Sequence, residues 1–150
     1  MAGEKTVDNI TFRIRHTMMP VNDLDRSIDF YTRLLGMDVQ RLRPSPERNE
    51  RVGYIGYGSE DDFPSLELIE TGGPGHTPDV PRWYGHIAIY VSDLYKLSEK
   101  LKAEGVKFTF GPQPNRPGSQ DHVAFIQDPD GYLLELTERH SKTGTPVRVS

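Results

Sequence analysis

The chain has 150 residues, with 18 Lys and Arg against 22 Asp and Glu for a net charge of −4, and it contains no Cys. A chain of this length buries about two-thirds of its surface on folding, enough for one domain or for two small modules sharing a core without disulfide staples. The missing Cys excludes disulfide frameworks, thiolate zinc sites, iron–sulfur clusters and cysteine nucleophiles, so any metal must take N or O ligands, and mild acidity without a basic block argues against nucleic acid or an anionic membrane as partner.

In chain order, residues 1–11 are polar and aperiodic and read as a flexible tail. They hold no apolar run of the secretory kind, and nowhere does a run of about 18 apolar residues offer a membrane span, so a soluble cytoplasmic protein is expected. From His16 to Val21 the pattern is that of a strand. Leu24, Ile28, Tyr31 and Leu35 then recur at helical spacing up to Gly36, with Asn22 or Asp23 as the N-cap. Strands follow near residues 39–42, 51–57 and 65–70, and the Gly- and Pro-rich residues 71–82 read as a linker. A second strand and helix open with His86, whose side carries Ala88 and Tyr90 while Ile87, Ile89 and Val91 face the other way. The helix takes Leu94, Leu97 and Leu101, is capped by Ser92 or Asp93 and stops at Gly105. Strands near residues 108–110, 122–127 and 132–137 complete this half, the last two joined by the turn Asp128-Pro129-Asp130-Gly131, and residues 140–150 read as a second flexible tail.

The two halves are an internal repeat. His16, Val21, Asp23 and Leu24 match His86, Val91, Asp93 and Leu94 at a constant separation of 70 positions, and Leu66-Glu67-Leu68-Ile69-Glu70 matches Leu134-Glu135-Leu136-Thr137-Glu138 at 68. Each half therefore has the order β-α-β-β-β, opens with a His and closes with a Glu inside an apolar run. A carboxylate buried in such a run is costly unless it is paired or bound to a cation. For one Glu alone, a strand with one wet face is an adequate reading. Two imidazoles and two carboxylates at matched positions point instead to a divalent ion, with a donor set suited to zinc, nickel, cobalt or iron rather than calcium, and four protein ligands leave open positions for chemistry.

Other residues carry less. His76 in the linker and His140 in the tail read as solvated, Trp83 and Tyr84 as core or lid, and His122, on a strand face with Ala124 and Ile126, as a residue able to border the same cavity. Arg116, in the loop Gly111 to Gly118, is a cation placed to clamp a substrate carboxylate or simply a surface charge.

The segments Arg15-His16-Thr17-Met18, Asp23 to Met37, Tyr84-Gly85-His86-Ile87-Ala88 and Asp128 to Leu136 resemble glyoxalase I, the lactoylglutathione lyases of the vicinal oxygen chelate superfamily, over residues 14–138. The resemblance implies an α+β fold of two tandem β-α-β-β-β modules, residues 12–70 and 83–139, forming a curved mixed sheet in one domain over residues 12–139. It implies metal ligands at His16, Glu67, His86 and Glu135, and a homodimer in which His16 and Glu67 of one chain meet His86 and Glu135 of the other. The short length resembles the nickel- or cobalt-preferring bacterial class, with zinc as the other candidate. The implied reaction isomerises the hemithioacetal of methylglyoxal and glutathione to S-lactoylglutathione through a metal-bound enediolate, with Glu135 as main base and Glu67 as its counterpart on the other face. Two polar anchors for glutathione are replaced by Pro20 and Thr71, leaving Arg116 as a candidate carboxylate anchor and another thiol as an alternative. Other readings are an epimerase-like or dioxygenase-like member of the superfamily, the latter leaving Glu67 without a task, or a ligand-sequestering protein of the bleomycin-resistance kind, which lacks the ligand set.

Overall fold

The computed structural model describes residues 4–45, 50–70 and 86–138. The chain divides into two compact units, Met1–Asp79 and Val80–Ser150. Among the described residues no helix is long and apolar enough to cross a membrane. His76, Trp83, Tyr84, His140, Thr71, residues 71–82 and the tail 140–150 lie outside the described residues.

The residues before 12, expected to be an unstructured tail, hold a hairpin instead. Strand β1 (Lys5–Val7) pairs antiparallel with β2 (Ile10–Phe12). Between them Asp8 and Asn9 both adopt positive φ, 50° and 61°, the conformation of a two-residue primed turn that short polar side chains tolerate.

Unit 1 continues with β3 (His16–Val21), helix α1 (Leu24–Asp29), a π-helical turn over Phe30–Leu34, then β4 (Asp38–Ser45), β5 (Glu50–Gly56) and β6 (Ser65–Glu70). The sheet order is β3-β6-β5-β4, with β3 and β6 parallel and the other pairs antiparallel. Unit 2 repeats this with β7 (Ile87–Tyr90), α2 (Leu94–Ala103), β8 (Phe108–Pro114), β9 (His122–Gln127) and β10 (Leu133–Glu138), in the order β7-β10-β9-β8. The β-α-β-β-β order read from the repeat is therefore present in both units. The helix expected to run unbroken to Gly36 widens instead at Phe30, so that the adjacent pair Phe30 and Tyr31 and then Leu34 are all buried. Gly36, at φ 72°, ends the turn in the left-handed conformation.

In each unit the helix covers one face of the sheet. Alternation along the strands sends Met19, Leu68 and Ile55 to that face in unit 1 and Ile89, Leu134 and Ile126 in unit 2, all of them buried. The opposite face carries His16 and Glu67 in one unit and Glu135 in the other. Helix starts are fixed twice. Asp23 and Asp93 accept from the Arg26 and Lys96 amides at 2.9 and 3.0 Å, while Glu70 and Glu138, from the ends of β6 and β10, accept from the Leu24 and Leu94 amides at 2.7 and 2.8 Å. Four orphan amides and a positive helix end draw these carboxylates.

The β9–β10 turn depends on Asp128, which is 5% exposed and accepts from the Asp130 and Tyr132 amides at 2.9 and 2.8 Å. Asp128→Ala strands both amides and is expected to lower the unfolding free energy by about 2 kcal/mol. A urea titration monitored by circular dichroism reads this out, with Asp128→Asn, which keeps an acceptor, falling between the two.

Candidate metal centre

In unit 1 the parallel ladder between β3 and β6 sets Met18 opposite Glu67 and His16 opposite Ser65. His16 and Met18 share a face, so His16 and Glu67 are diagonal neighbours on the helix-free face. Their Nε2 and Oε2 atoms stand 3.1 Å apart. On the other side of Glu67, β5 sets Tyr54 directly opposite. The Tyr54 hydroxyl donates to Glu67 Oε1, and its ring meets His16 edge-on at 5.8 Å between centroids. Burial first, and then the hydrogen bond to Glu67, hold the phenol above its ordinary range, so it serves as a donor.

One strand further out, Arg41 of β4 lies opposite Tyr54, with its guanidinium carbon 3.8 Å from the ring centroid. Arg41 also makes two hydrogen bonds to Glu60, both at 2.8 Å, and Arg15 adds another at 2.9 Å. These guanidinium groups, Arg41 foremost, pull the Glu60 carboxyl down to about 2.

Unit 2 builds the same arrangement from different neighbours. Glu135 lies opposite Ala88 on β7, two residues beyond His86, and His86 Nε2 stands 2.8 Å from Glu135 Oε2. The residue opposite Glu135 on β9 is Phe125. Its ring meets His86 edge-on at 5.2 Å and Phe110 of β8 at 6.2 Å. Glu135 and Ala88 line a cavity of ≈ 340 Å³ together with Val123, Thr137, Asn115 and Asp121.

The four residues read as ligands thus form two His–Glu pairs, His16 with Glu67 and His86 with Glu135. Among the described residues no three His, Asp or Glu side chains gather as a metal-binding group, so each unit offers two donors. The pairs fit a divalent ion. Donors about 2.1 Å from one ion and at right angles to each other stand about 3 Å apart, close to both Nε2–Oε2 distances. The Glu67 side chain is 12% exposed, and among the described residues its partners are a hydroxyl and an imidazole with no Lys or Arg, which leaves room for a cation.

The weaker candidates separate. His122 does border the cavity, but its Nδ1 stands 2.9 Å from the Tyr95 hydroxyl of α2, on the helix-covered side of the sheet. Arg116 is exposed on the β8–β9 loop next to the cavity-lining Asn115. Tyr54 and Phe125 were not singled out from the sequence, although Val52-Gly53-Tyr54-Ile55 and Val123-Ala124-Phe125-Ile126 repeat at a separation of 71 positions.

The family model of the Glyoxalase/Bleomycin resistance protein/Dioxygenase superfamily matches residues 13–136. A relative from Vibrio cholerae, named a probable lactoylglutathione lyase, is 40% identical over 126 residues that cover 84% of this chain and 90% of that one. A lactoylglutathione lyase from Neisseria meningitidis is 37% identical over 134 residues, covering 86% and 92%. The solved structure of the trypanothione-dependent glyoxalase I of Leishmania major superposes with a TM-score of 0.76 at 38% identity, over 85% of this chain and 86% of that one.

The polar flank of unit 1 carries a pH dependence. With its carboxyl held at about 2 against an ordinary 4.5, Glu60 stabilises the folded chain above pH 4.5, and that contribution is lost as pH falls from there through about 2. Glu60→Gln is expected to melt below wild type at neutral pH and to decline less steeply on the acid side. Melting curves at low salt, where the pairing of Glu60 with its half-exposed arginines is least screened, check both; coincident curves would rule the contribution out.

Proposed function

This chain belongs to the glyoxalase/bleomycin resistance protein/dioxygenase superfamily and has its vicinal oxygen chelate fold, and from that membership we propose that it is a metal-dependent lyase of the lactoylglutathione lyase type. It isomerises the hemithioacetal of methylglyoxal and a thiol to the S-lactoyl thioester. The observation that carries this reading is the duplicated pair: each unit presents an imidazole nitrogen and a carboxylate oxygen about one coordination edge apart on its helix-free face. Relatives named lactoylglutathione lyase favour this member of the superfamily over its epimerases, dioxygenases and binding proteins.

His16, Glu67, His86 and Glu135 are the proposed ligands, of nickel or cobalt, with zinc as the other candidate. Because each unit supplies two donors, the site is proposed to form in a homodimer, His16 and Glu67 of one copy joining His86 and Glu135 of the second. The bound ion supplies positive charge that steadies negative charge developing on two adjacent substrate oxygens. The reaction then needs a proton moved between neighbouring carbons. Glu135 suits this task, since its Oε1 has no hydrogen-bond partner among the described residues and the side chain borders the cavity. It takes the proton from one carbon and returns it to the next. Glu67 is proposed as the matching carboxylate ligand on the opposite side of the substrate. Their tyrosine and phenylalanine neighbours keep both imidazoles packed edge-on and so fixed in direction.

The thiol is proposed to be glutathione, with Arg116, next in sequence to the cavity-lining Asn115, as an anchor for one of its carboxylates. A different thiol is the second reading, favoured by Pro20, which presents no side-chain donor on β3, and in keeping with a trypanothione-dependent relative. A free thiol substrate suits the reducing cytoplasm.

Purified protein given methylglyoxal and glutathione is expected to form thioester, measured by its ultraviolet absorbance, to lose this activity on chelation and to regain it with nickel or cobalt. Glu135→Gln is expected to unfold in urea like wild type and to lose about 10³-fold in kcat. Near-normal turnover of that variant would remove Glu135 from the role.

A further inference from the structure

The strands that flank the two carboxylates are paired in the same register in both units, so the residues beside Glu67 and Glu135 can be compared position by position. Reading outward from the carboxylate across the helix-free face, unit 1 has Glu67, Tyr54 and Arg41, and unit 2 has Glu135, Phe125 and Phe110. The rings occupy the same place. Both stand directly opposite their Glu, and both meet their His edge-on. What unit 1 adds is a hydroxyl, and that hydroxyl donates to Glu67 Oε1 while Oε2 faces His16. Arg41, stacked on the Tyr54 ring and tied to Glu60, limits the movement of the ring itself. Both oxygens of Glu67 are therefore engaged. Glu135 has Oε2 at His86 and nothing among the described residues on Oε1.

We propose that Tyr54 is a positioning residue that commits Glu67 to holding the divalent ion and withholds it from proton transfer, leaving Glu135 as the one carboxylate that moves the substrate proton. The inference rests on the lyase reading. A carboxylate that shuttles a proton between neighbouring carbons needs an oxygen free to swing toward each carbon and a lone pair free to accept. Glu67 Oε1 accepts from a hydroxyl whose ring is covered by Arg41, whereas Glu135 lines the cavity and its Oε1 has no hydrogen-bond partner among the described residues. The site is thereby made one-sided by a single oxygen atom, with one carboxylate as a fixed ligand and its duplicate as the base. A ligand oriented by an outer hydrogen bond also binds metal more tightly, and loss of such bonds lowers affinity by about 10- to 100-fold.

Two exchanges test this. Tyr54→Phe gives unit 1 the ring that unit 2 already carries, and Phe125→Tyr gives unit 2 the hydroxyl. Calorimetric titration of the metal-free protein with nickel is expected to show Tyr54→Phe binding about 10-fold more weakly than wild type. In turnover, Tyr54→Phe introduced into Glu135→Gln is expected to recover at least about 10-fold of the lost kcat, because the released Glu67 can take the proton in place of Glu135. Phe125→Tyr is expected to lower kcat at least about 10-fold with KM near wild type, since it ties up the base without touching substrate binding. A role of Tyr54 in packing alone would give no recovery in the double variant. Wild-type nickel affinity in Tyr54→Phe, or a double variant as inactive as Glu135→Gln, overturns the inference. If wild type itself forms no thioester, the lyase reading fails, and the nickel titration alone then decides whether Tyr54 holds Glu67.

Discussion

A carboxylate in the interior of a sheet has a neighbouring strand on either side, and the position of the last strand of each module decides which residues those neighbours bring to it. The fifth element to be made inserts next to the first rather than at the outer edge, giving β3-β6-β5-β4 and β7-β10-β9-β8. The inserted strand is parallel to one neighbour and antiparallel to the other. Parallel pairing brings the His from the far end of the module, and antiparallel pairing brings the aromatic residue from the preceding strand. Both meet the Glu at the same height, because the register is the same in the two units: the residue opposite the Glu on the parallel side is always the one two beyond the His.

The same strand also shows how one motif serves two purposes. In Leu-Glu-Leu-x-Glu the two acidic residues are three positions apart, so alternation sends them to opposite faces. Glu67 and Glu135 go to the open face and meet imidazoles. Glu70 and Glu138 go to the helix side and accept from the first amides of α1 and α2. The sheet and helix of each module are thus fastened by the end of the strand that carries the proposed metal ligand, and the direction of that strand is held from the far side by the helix it caps. Movement of the helix start would be felt at the ligand three residues away.

Duplication is what made most of this readable in the residues alone. One His and one Glu on amphipathic strands have an ordinary explanation, and the matched second pair removes it. The same argument was available for Tyr54 and Phe125, but their match is partial, Tyr against Phe, and the functional content lies in the mismatch rather than in the match. Pairwise register was needed to see that the two rings stand opposite the two carboxylates. The β1–β2 hairpin is hard to see in the residues because they are exposed and give no apolar alternation; its one signal is Asp8-Asn9, a turn pair between Lys5-Thr6-Val7 and Ile10-Thr11-Phe12. The π-helical turn at Phe30 has no periodicity of its own, only two consecutive apolar side chains that must both turn inward. His122 shares its strand face with Ala124 and Ile126, and pairing shows that this is the face of Tyr95, not of Glu135.

Pro20 shows where the scaffold accommodates a proline beside the site. It lies on β3, an edge strand, where a residue without an amide donor costs the ladder least. On the same face as His16 and Met18, it replaces what would otherwise be a side chain projecting over the site, and it does so without disturbing the pairing of Met18 with Glu67 two residues earlier. His16 and Pro20 lie on an edge strand and His86 immediately precedes one, while central strands carry Glu67 with Tyr54 and Glu135 with Phe125. The proposed chemistry is built on the central strands, where pairing on both sides fixes it. The proposed thiol anchor, Arg116, lies on the β8–β9 loop, where pairing fixes less, so thiol choice is expected to be open to substitution there without displacement of the proposed proton-transfer residues.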